Sequence, residues 1–163
     1  MLKEQIKEDL KTAMKASDAT AKTTLSMLLS AIKNRELDKR GKLAKEGISA
    51  QEAEERSALT DEEALEAVSS ELKKRRESIG TYEDAGRAEL AESEKKEAEI
   101  LSRYLPEQMK EEEVRTLVRE AIERTGAASP KDMGTVMGQV SPKTKGRFDG
   151  ARLAHIVKEL LNG

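Results

Sequence analysis

Residues 126–161 read GAASPKDMGTVMGQVSPKTKGRFDGARLAHIVKELL, and the rest of the chain is read outward from this stretch. It holds five of the ten glycines (Gly126, Gly134, Gly138, Gly146 and Gly150) and two of the three prolines, Pro130 and Pro142. Ser129 followed by Pro130, with Asp132 three residues after the serine, predicts a helix start: a serine N-cap, a proline at the first helical position and a carboxylate beside the exposed amides. Met133, Val136, Met137 and Val140 then recur at helical spacing. Pro142 disfavours helical backbone at Ser141, so this helix is expected to stop near Val140. Asp149 is placed to cap the next helix, on which Leu153, Val157, Leu160 and Leu161 form one apolar stripe. Between the two lies Lys143-Thr144-Lys145-Gly146-Arg147, a basic loop with a glycine in it.

Gly134 and Gly138 are four residues apart and share one helix face, where each costs about 1 kcal/mol relative to alanine. Such a cost is tolerable where another backbone approaches closely. Two readings follow: a tightly packed neighbouring helix, in which case leucine at both positions clashes, or a nucleic-acid strand. In the basic loop, Lys143, Lys145 and Arg147 suit an anion, and Gly146 lets the chain turn or approach a phosphate. The start of the following helix adds amide donors. Phe148, the single phenylalanine, either stacks on a base or fills the gap between the last two helices.

The whole chain, 163 residues, has 2% aromatic and 38% charged residues, so its core must come from aliphatic side chains on helix stripes. The expected class is all-α: a multihelical amino-terminal domain over residues 1–109, then a small three-helix domain over 110–163. Helix one is expected from Leu2 to about Ala16 with Ile6, Leu10, Ala13 and Met14 inward. Helix two is expected from Ala19 to Lys39 with Leu25, Leu28, Leu29, Ile32 and Leu37. Residues 41–59 show a weaker pattern and read as a flexible connection or a lengthened helix pair. Thr60 and Glu63 make a capping box, and Leu65, Val68, Leu72 and Ile79 define the next helix. In its Lys73–Arg76 cluster, Arg76 is the cation placed near the apolar stripe, to snorkel or to pair with a carboxylate. Gly80 and Gly86 read as breaks around a short turn. A helix over Arg87–Leu105, apolar at Leu90, Ile100, Leu101 and Tyr104, stops at Pro106. Val114, Leu117, Val118, Ala121 and Ile122 then give a clean amphipathic helix that ends at Gly126.

Charge is uneven. Residues 60–125 carry 12 basic and 19 acidic side chains, whereas residues 126–163 carry 6 and 3, so the tail attracts phosphate and the middle repels it. Lys3, Lys7, Lys11 and Lys15 form a four-residue stripe that reads as a solvated face interleaved with Glu4 and Glu8. No stretch approaches the roughly 18 apolar residues of a membrane span, no secretory leader pattern opens the chain, and cysteine is absent. From these features a cytoplasmic protein without membrane association is expected.

The runs Asp132-Met133-Gly134, Val136-Met137-Gly138, Pro142-Lys143, Lys145-Gly146-Arg147 and Asp149-Gly150 together resemble the GatB/YqeY domain family. The resemblance continues upstream in Lys73-Lys74-Arg75-Arg76-Glu77-Ser78, Ala85-Gly86-Arg87, Glu97-Ala98-Glu99-Ile100 and Tyr104-Leu105-Pro106-Glu107-Gln108, and so covers nearly the whole chain. It implies kinship with the tail of the GatB subunit of tRNA-dependent amidotransferase, a tail held to contact tRNA. It also implies a family association with carbon-nitrogen ligase activity that uses glutamine as amido donor. Carried onto this sequence, it points to tRNA as partner, to a tRNA-charging or amidotransferase protein as a second partner, and to Gly134, Gly138, Lys143, Lys145, Gly146 and Arg147 as contacts.

The residues themselves indicate binding rather than chemistry. There is one histidine, His155, off the line through Leu153 and Val157, and there is no phosphate-loop motif and no metal-ligand spacing. No catalytic residue and no cofactor is assigned. Three classes stay open: a tRNA-binding accessory without its own amidation site, a transamidation component completed by a partner, and a helical protein-interaction adaptor with no RNA role.

Overall fold

The computed structural model describes residues 1–162 and contains eight α-helices, with no strand among the described residues. The chain divides into two compact units, Met1–Leu105 and Pro106–Gly163. The division precedes the 109/110 boundary read from the sequence. The reason is that the intervening segment is hydrogen-bonded into the second unit: Met109 N–H donates to the Arg147 carbonyl at 2.9 Å, and Gln108 Nε2 donates to the Gly146 carbonyl at 2.9 Å.

The first unit comprises α1 (Leu2–Lys15), α2 (Ala19–Lys45), α3 (Ala50–Ser57), α4 (Asp61–Asp84) and α5 (Ala88–Ser102). Its helix starts are written locally. Asp18 accepts from the Ala21 amide at 3.0 Å, Ser49 from the Glu52 amide at 3.3 Å, and Thr60 and Glu63 exchange both bonds of a capping box. Ile6, Leu25, Leu28, Ile32, Val68, Leu72 and Leu101 form the buried core. At about 1.5–3 kcal/mol for each fully buried aliphatic side chain, this stripe packing holds α1, α2, α4 and α5 together. Met14, Leu37 and Leu90, expected inward or on the apolar stripes, are 55%, 43% and 47% exposed.

Two glycines expected to interrupt helices do not. α2 continues through Gly41 to Lys45 instead of ending at Lys39, and α4 continues through Gly80 to Asp84. A helix-interior glycine costs only about 1 kcal/mol, too little by itself to end a long helix. Residues 41–59 take the lengthened helix-pair form, with α3 folded back so that Ala53 and Leu59 are buried. Lys39 of α2 reaches Glu63 at 2.8 Å, which ties α2 to the start of α4. Gly86, with φ +67°, is the residue that ends the α4 run.

The structure also corrects the choice of arginine. Arg76 is exposed, whereas Arg75 is 8% exposed and lies among three carboxylates. Its Nε is 2.7 Å from Glu97 and 3.6 Å from Glu94, and its Nη1 is 3.9 Å from Glu71. Its Nη2 also meets the Met27 sulfur at 3.6 Å. One guanidinium thus links α4 to α5 and touches α2. Glu94 Oε2 is buried without a hydrogen-bond donor, and burial pushes this carboxyl above the usual glutamate range despite the neighbouring Arg75.

The second unit comprises α6 (Glu111–Thr125), a 3₁₀ turn over Pro130–Asp132, α7 (Met133–Thr144) and α8 (Gly150–Asn162) around Val114, Val118, Val136, Val140, Leu153, Ile156 and Val157. Gly126, with φ +68°, closes α6 as expected, and Ser129 and Asp132 cap the turn that leads into α7. α7 does not stop near Val140. It runs across Pro142 to Thr144, because the proline sits in the last turn and forfeits one bond, that to the Gly138 carbonyl. The buried Thr144 hydroxyl secures that turn by donating to the Val140 carbonyl at 3.1 Å.

Arg75→Met removes the guanidinium that Glu94 and Glu97 share and is expected to cost about 3 kcal/mol in urea unfolding at neutral pH, while Arg76→Met changes stability by less than about 0.5 kcal/mol. The Arg75 penalty shrinks as pH falls through the glutamate range, since the stranded carboxylates can then take protons. Equal penalties for the two variants contradict the assignment.

Candidate nucleic-acid interface

The six residues singled out in the sequence all lie in the second unit, on α7 and on the loop that joins it to α8. Gly134 and Gly138 are exposed on α7, and a Cβ added at either position would meet nothing within 4 Å. The packed-helix reading, with its clash on replacement by leucine, is therefore corrected: nothing among the described residues covers this face. Since Pro142 has no N–H, the Gly138 carbonyl also lacks its i+4 donor. The face is a strip of bare backbone.

The basic residues are not all brought to this strip. Lys145, eleven residues from Gly134, returns to nearly the same side of the helix, whereas Lys143, nine residues from Gly134, is turned about 180° away. Lys143 and Thr144 belong to the last turn of α7, so the loop proper starts at Lys145. Gly146 adopts φ +72°, a left-handed conformation that suits glycine, with Pro106 3.8 Å from where a Cβ would stand. Arg147 has a structural duty: its Nε donates to the Glu107 carbonyl at 2.9 Å. Phe148 packs, half-buried, against the core of the unit. Asp149 caps α8 as expected and accepts the Arg152 amide at 2.9 Å, so that donor is not left for a ligand.

A charged network that the sequence reading did not find crosses from α6 to α8. Arg152 clasps Glu111 through Nη2 at 2.7 Å and Nε at 3.0 Å, and Arg115 joins Glu111 and Glu159, each at 2.9 Å. Hydrogen bonds from Arg152 first and Arg115 second pull the Glu111 carboxyl down to about 2. His155 Nδ1 lies 3.2 Å from Arg152 Nη1, on the exposed edge of this network. Forty-one residues separate Arg152 from Glu111, and no periodicity in one helix announces a partner in another.

In the first unit, an open cleft is lined by Leu2, Glu4, Glu8, Asp61, Leu65 and Tyr104. Its carboxylates make it a poor seat for phosphate. Tyr104 donates to Asp9 at 2.6 Å, and burial, reinforced by that bond, raises its phenol well above the usual range. No group of three His, Asp or Glu side chains among the described residues is arranged to hold a metal ion.

Comparison with known families matches the chain to Yqey-like proteins over residues 3–50 and 42–161. The chain belongs to the Yqey-like protein family. Among curated relatives, the mitochondrial protein named Altered inheritance of mitochondria protein 41 is similar. The Candida glabrata protein is 33% identical over 102 residues, covering 63% of this chain and 48% of the relative. The Eremothecium gossypii protein is 37% identical over 101 residues, 61% of this chain and 46% of the relative. The Lachancea thermotolerans protein is 39% identical over 101 residues with the same shares. The chain spans about half the length of these relatives. Their names place them in mitochondria, which overturns the expectation of a cytoplasmic protein drawn from cysteine usage and the lack of an apolar leader. Neither feature separates cytoplasm from the mitochondrial interior.

Because the folded Glu111 carboxyl titrates near 2, below its unfolded value of about 4.3, its network stabilises the fold above that value and is lost as pH falls from about 4.3 towards 2. Glu111→Gln should therefore flatten the acid-unfolding curve across that window, as followed by circular dichroism, and leave the profile between pH 6 and 8 unchanged in shape. A shifted neutral-pH profile with an unaltered acid limb is the contrary outcome.

Proposed function

We propose that this Yqey-like protein is a tRNA-binding accessory related to tRNA-dependent amidotransferase, which supplies affinity rather than chemistry. The observation that carries the reading is the uncovered strip of α7. Gly134 and Gly138 weaken an exposed helix, and no neighbour among the described residues uses the space they leave. A ribose-phosphate backbone fits such a strip: it needs close approach and a cation in line, which Lys145 provides at the C-terminal end of the helix, and a ribose 2′-hydroxyl can donate to the Gly138 carbonyl. The resemblance to the GatB tail supplies tRNA as the form of that backbone. Lys143 contributes long-range attraction from the other side of α7, and Arg147 acts by holding the loop against Glu107.

The amide-transfer chemistry associated with the family is assigned to a protein partner. His155 is exposed and held at the edge of the Arg152–Glu111 network, a structural setting. The electrostatic share of binding is modest and falls with salt.

Replacing Gly134 and Gly138 by leucine separates this reading from its rivals. Stability rises by about 0.5–1 kcal/mol per site on helix propensity alone, while retention of bulk tRNA on a filter is lost. Lys143→Ala with Lys145→Ala keeps the fold and lowers the slope of log affinity against log salt by roughly 0.7–0.9 for each phosphate contact removed. Wild-type tRNA affinity in both variants overturns the proposal. Loss of a co-purifying protein in place of tRNA assigns the strip to an adaptor role.

A further inference from the structure

The seam between α4 and α5 carries a charge imbalance that its own hydrogen bonds do not resolve. Around the buried Arg75 stand three glutamates, Glu71 on the same helix and Glu94 and Glu97 on α5. Glu97 accepts from Arg75 Nε at 2.7 Å, and Glu71 is served by the Lys74 ammonium at 2.6 Å. Glu94 has neither. Its Oε2 lies 3.6 Å from Arg75 Nε, too far for a hydrogen bond, and it is buried with no donor. Among the described helices α5 packs against α4 and α2 alone, and what α2 brings to Arg75 is the uncharged Met27 sulfur, 3.6 Å from Nη2. Two cations, Lys74 and Arg75, thus face three carboxylates, and the one in excess is the one that water does not reach.

We propose that Glu94 is a proton-uptake site: docking of α5 on α4 gives its carboxyl a proton to donate towards Glu97, and loss of that proton loosens the seam. A buried carboxylate without a donor is costly, and such a group takes a proton instead of staying charged. Protonation turns an acceptor-only oxygen into a donor. The acceptor is close, since residues three apart on a helix are neighbours and both carboxyls lie against the same Arg75 nitrogen. With the proton in place, Lys74 and Arg75 balance Glu71 and Glu97. Burial is the largest influence on the Glu94 carboxyl and raises it; Arg75 opposes this, and the Glu97 charge adds to it. The pair, more than either glutamate alone, is the titrating unit.

The folded Glu94 carboxyl holds its proton more tightly than the unfolded one, which titrates at about 4.3. Above that value the folded chain therefore binds more protons than the unfolded chain, and stability falls as pH rises through the folded value. This latch loosens with rising pH. Its sign is opposite to that of the Glu111 clasp, which is lost as pH falls.

Carbon-13 NMR titration of the glutamate carboxyls in the full chain, from about pH 3 to 8, tests this without any substitution. Glu94 is expected to titrate above about 4.3, the value of an unperturbed glutamate. Glu94→Gln imitates the protonated carboxyl. It is expected to be at least as stable to urea as the wild type at about pH 7, and to lose the decline in stability that the wild type shows as pH rises above about 4.3. Glu97→Gln removes the 2.7 Å partner of Arg75 and is expected to be less stable than the wild type. Amide exchange in α5, corrected for the intrinsic rate, is expected to quicken with pH in the wild type and not in Glu94→Gln. A Glu94 midpoint at or below about 4.3, or a Glu94→Gln chain that is less stable at about pH 7 or keeps the wild-type pH dependence, overturns the proposal.

Discussion

A chain with one phenylalanine, two tyrosines and no tryptophan has to close its core with small aliphatic side chains. That constraint governs the rest of the molecule. Valine, leucine, isoleucine and alanine give little buried area each, so they must be lined up on helix stripes and met by other stripes. Each helix thereby commits one face to its own unit. What remains is largely charged, and the bare strip of α7 around Gly134 and Gly138 stands apart from it.

Charge does the joining that aromatic mass does in other folds. Arg75 bridges Glu71 on its own helix and Glu94 and Glu97 on the next, and Arg152 and Arg115 draw Glu111 and Glu159 together across the second unit. The two networks differ in environment. Around Arg75 three carboxylates compete for one buried guanidinium, and Glu94 is left with an oxygen that finds no donor. Around Glu111 two guanidiniums serve one exposed carboxylate, which is held in its charged form. The first makes a cluster that is costly to break; the second is a pH-sensitive surface clasp.

Membership of the Yqey-like family accounts for the ordered motifs along the chain, and it brings a functional question more than an answer. The curated relatives are about twice as long as the span they share with this chain, and their names speak of mitochondria rather than of RNA. The physical case for a nucleic-acid partner therefore rests on α7, where two glycines and a proline expose backbone at a cost in helix stability that nothing among the described residues recovers.

Much of the local chemistry was legible in the sequence. The capping box at Thr60 and Glu63, the Gly126 stop and the Asp149 cap depend on residues within four positions of one another, and each forms as read, whereas the Ser129-Pro130 start opens a 3₁₀ turn and the α-helix itself begins at Met133. The helical class and the apolar stripes follow from periodicity, which is also local. Helix lengths past Gly41, Gly80 and Pro142 were not legible, because a penalty of about 1 kcal/mol, or one lost hydrogen bond in a last turn, is too little by itself to end a helix. Which arginine is buried could not be read either: Arg75 and Arg76 are neighbours in sequence and differ only in which carboxylates α5 presents. The same holds for the site. The sequence by itself showed that Gly134 and Gly138 share a face and that Lys143, Lys145 and Arg147 are close in the chain. Only the tertiary structure decided that the glycine face is uncovered and that Arg147 is tied to Glu107, since both depend on what other segments bring near; that Lys143 turns away follows from α7 running on past Pro142.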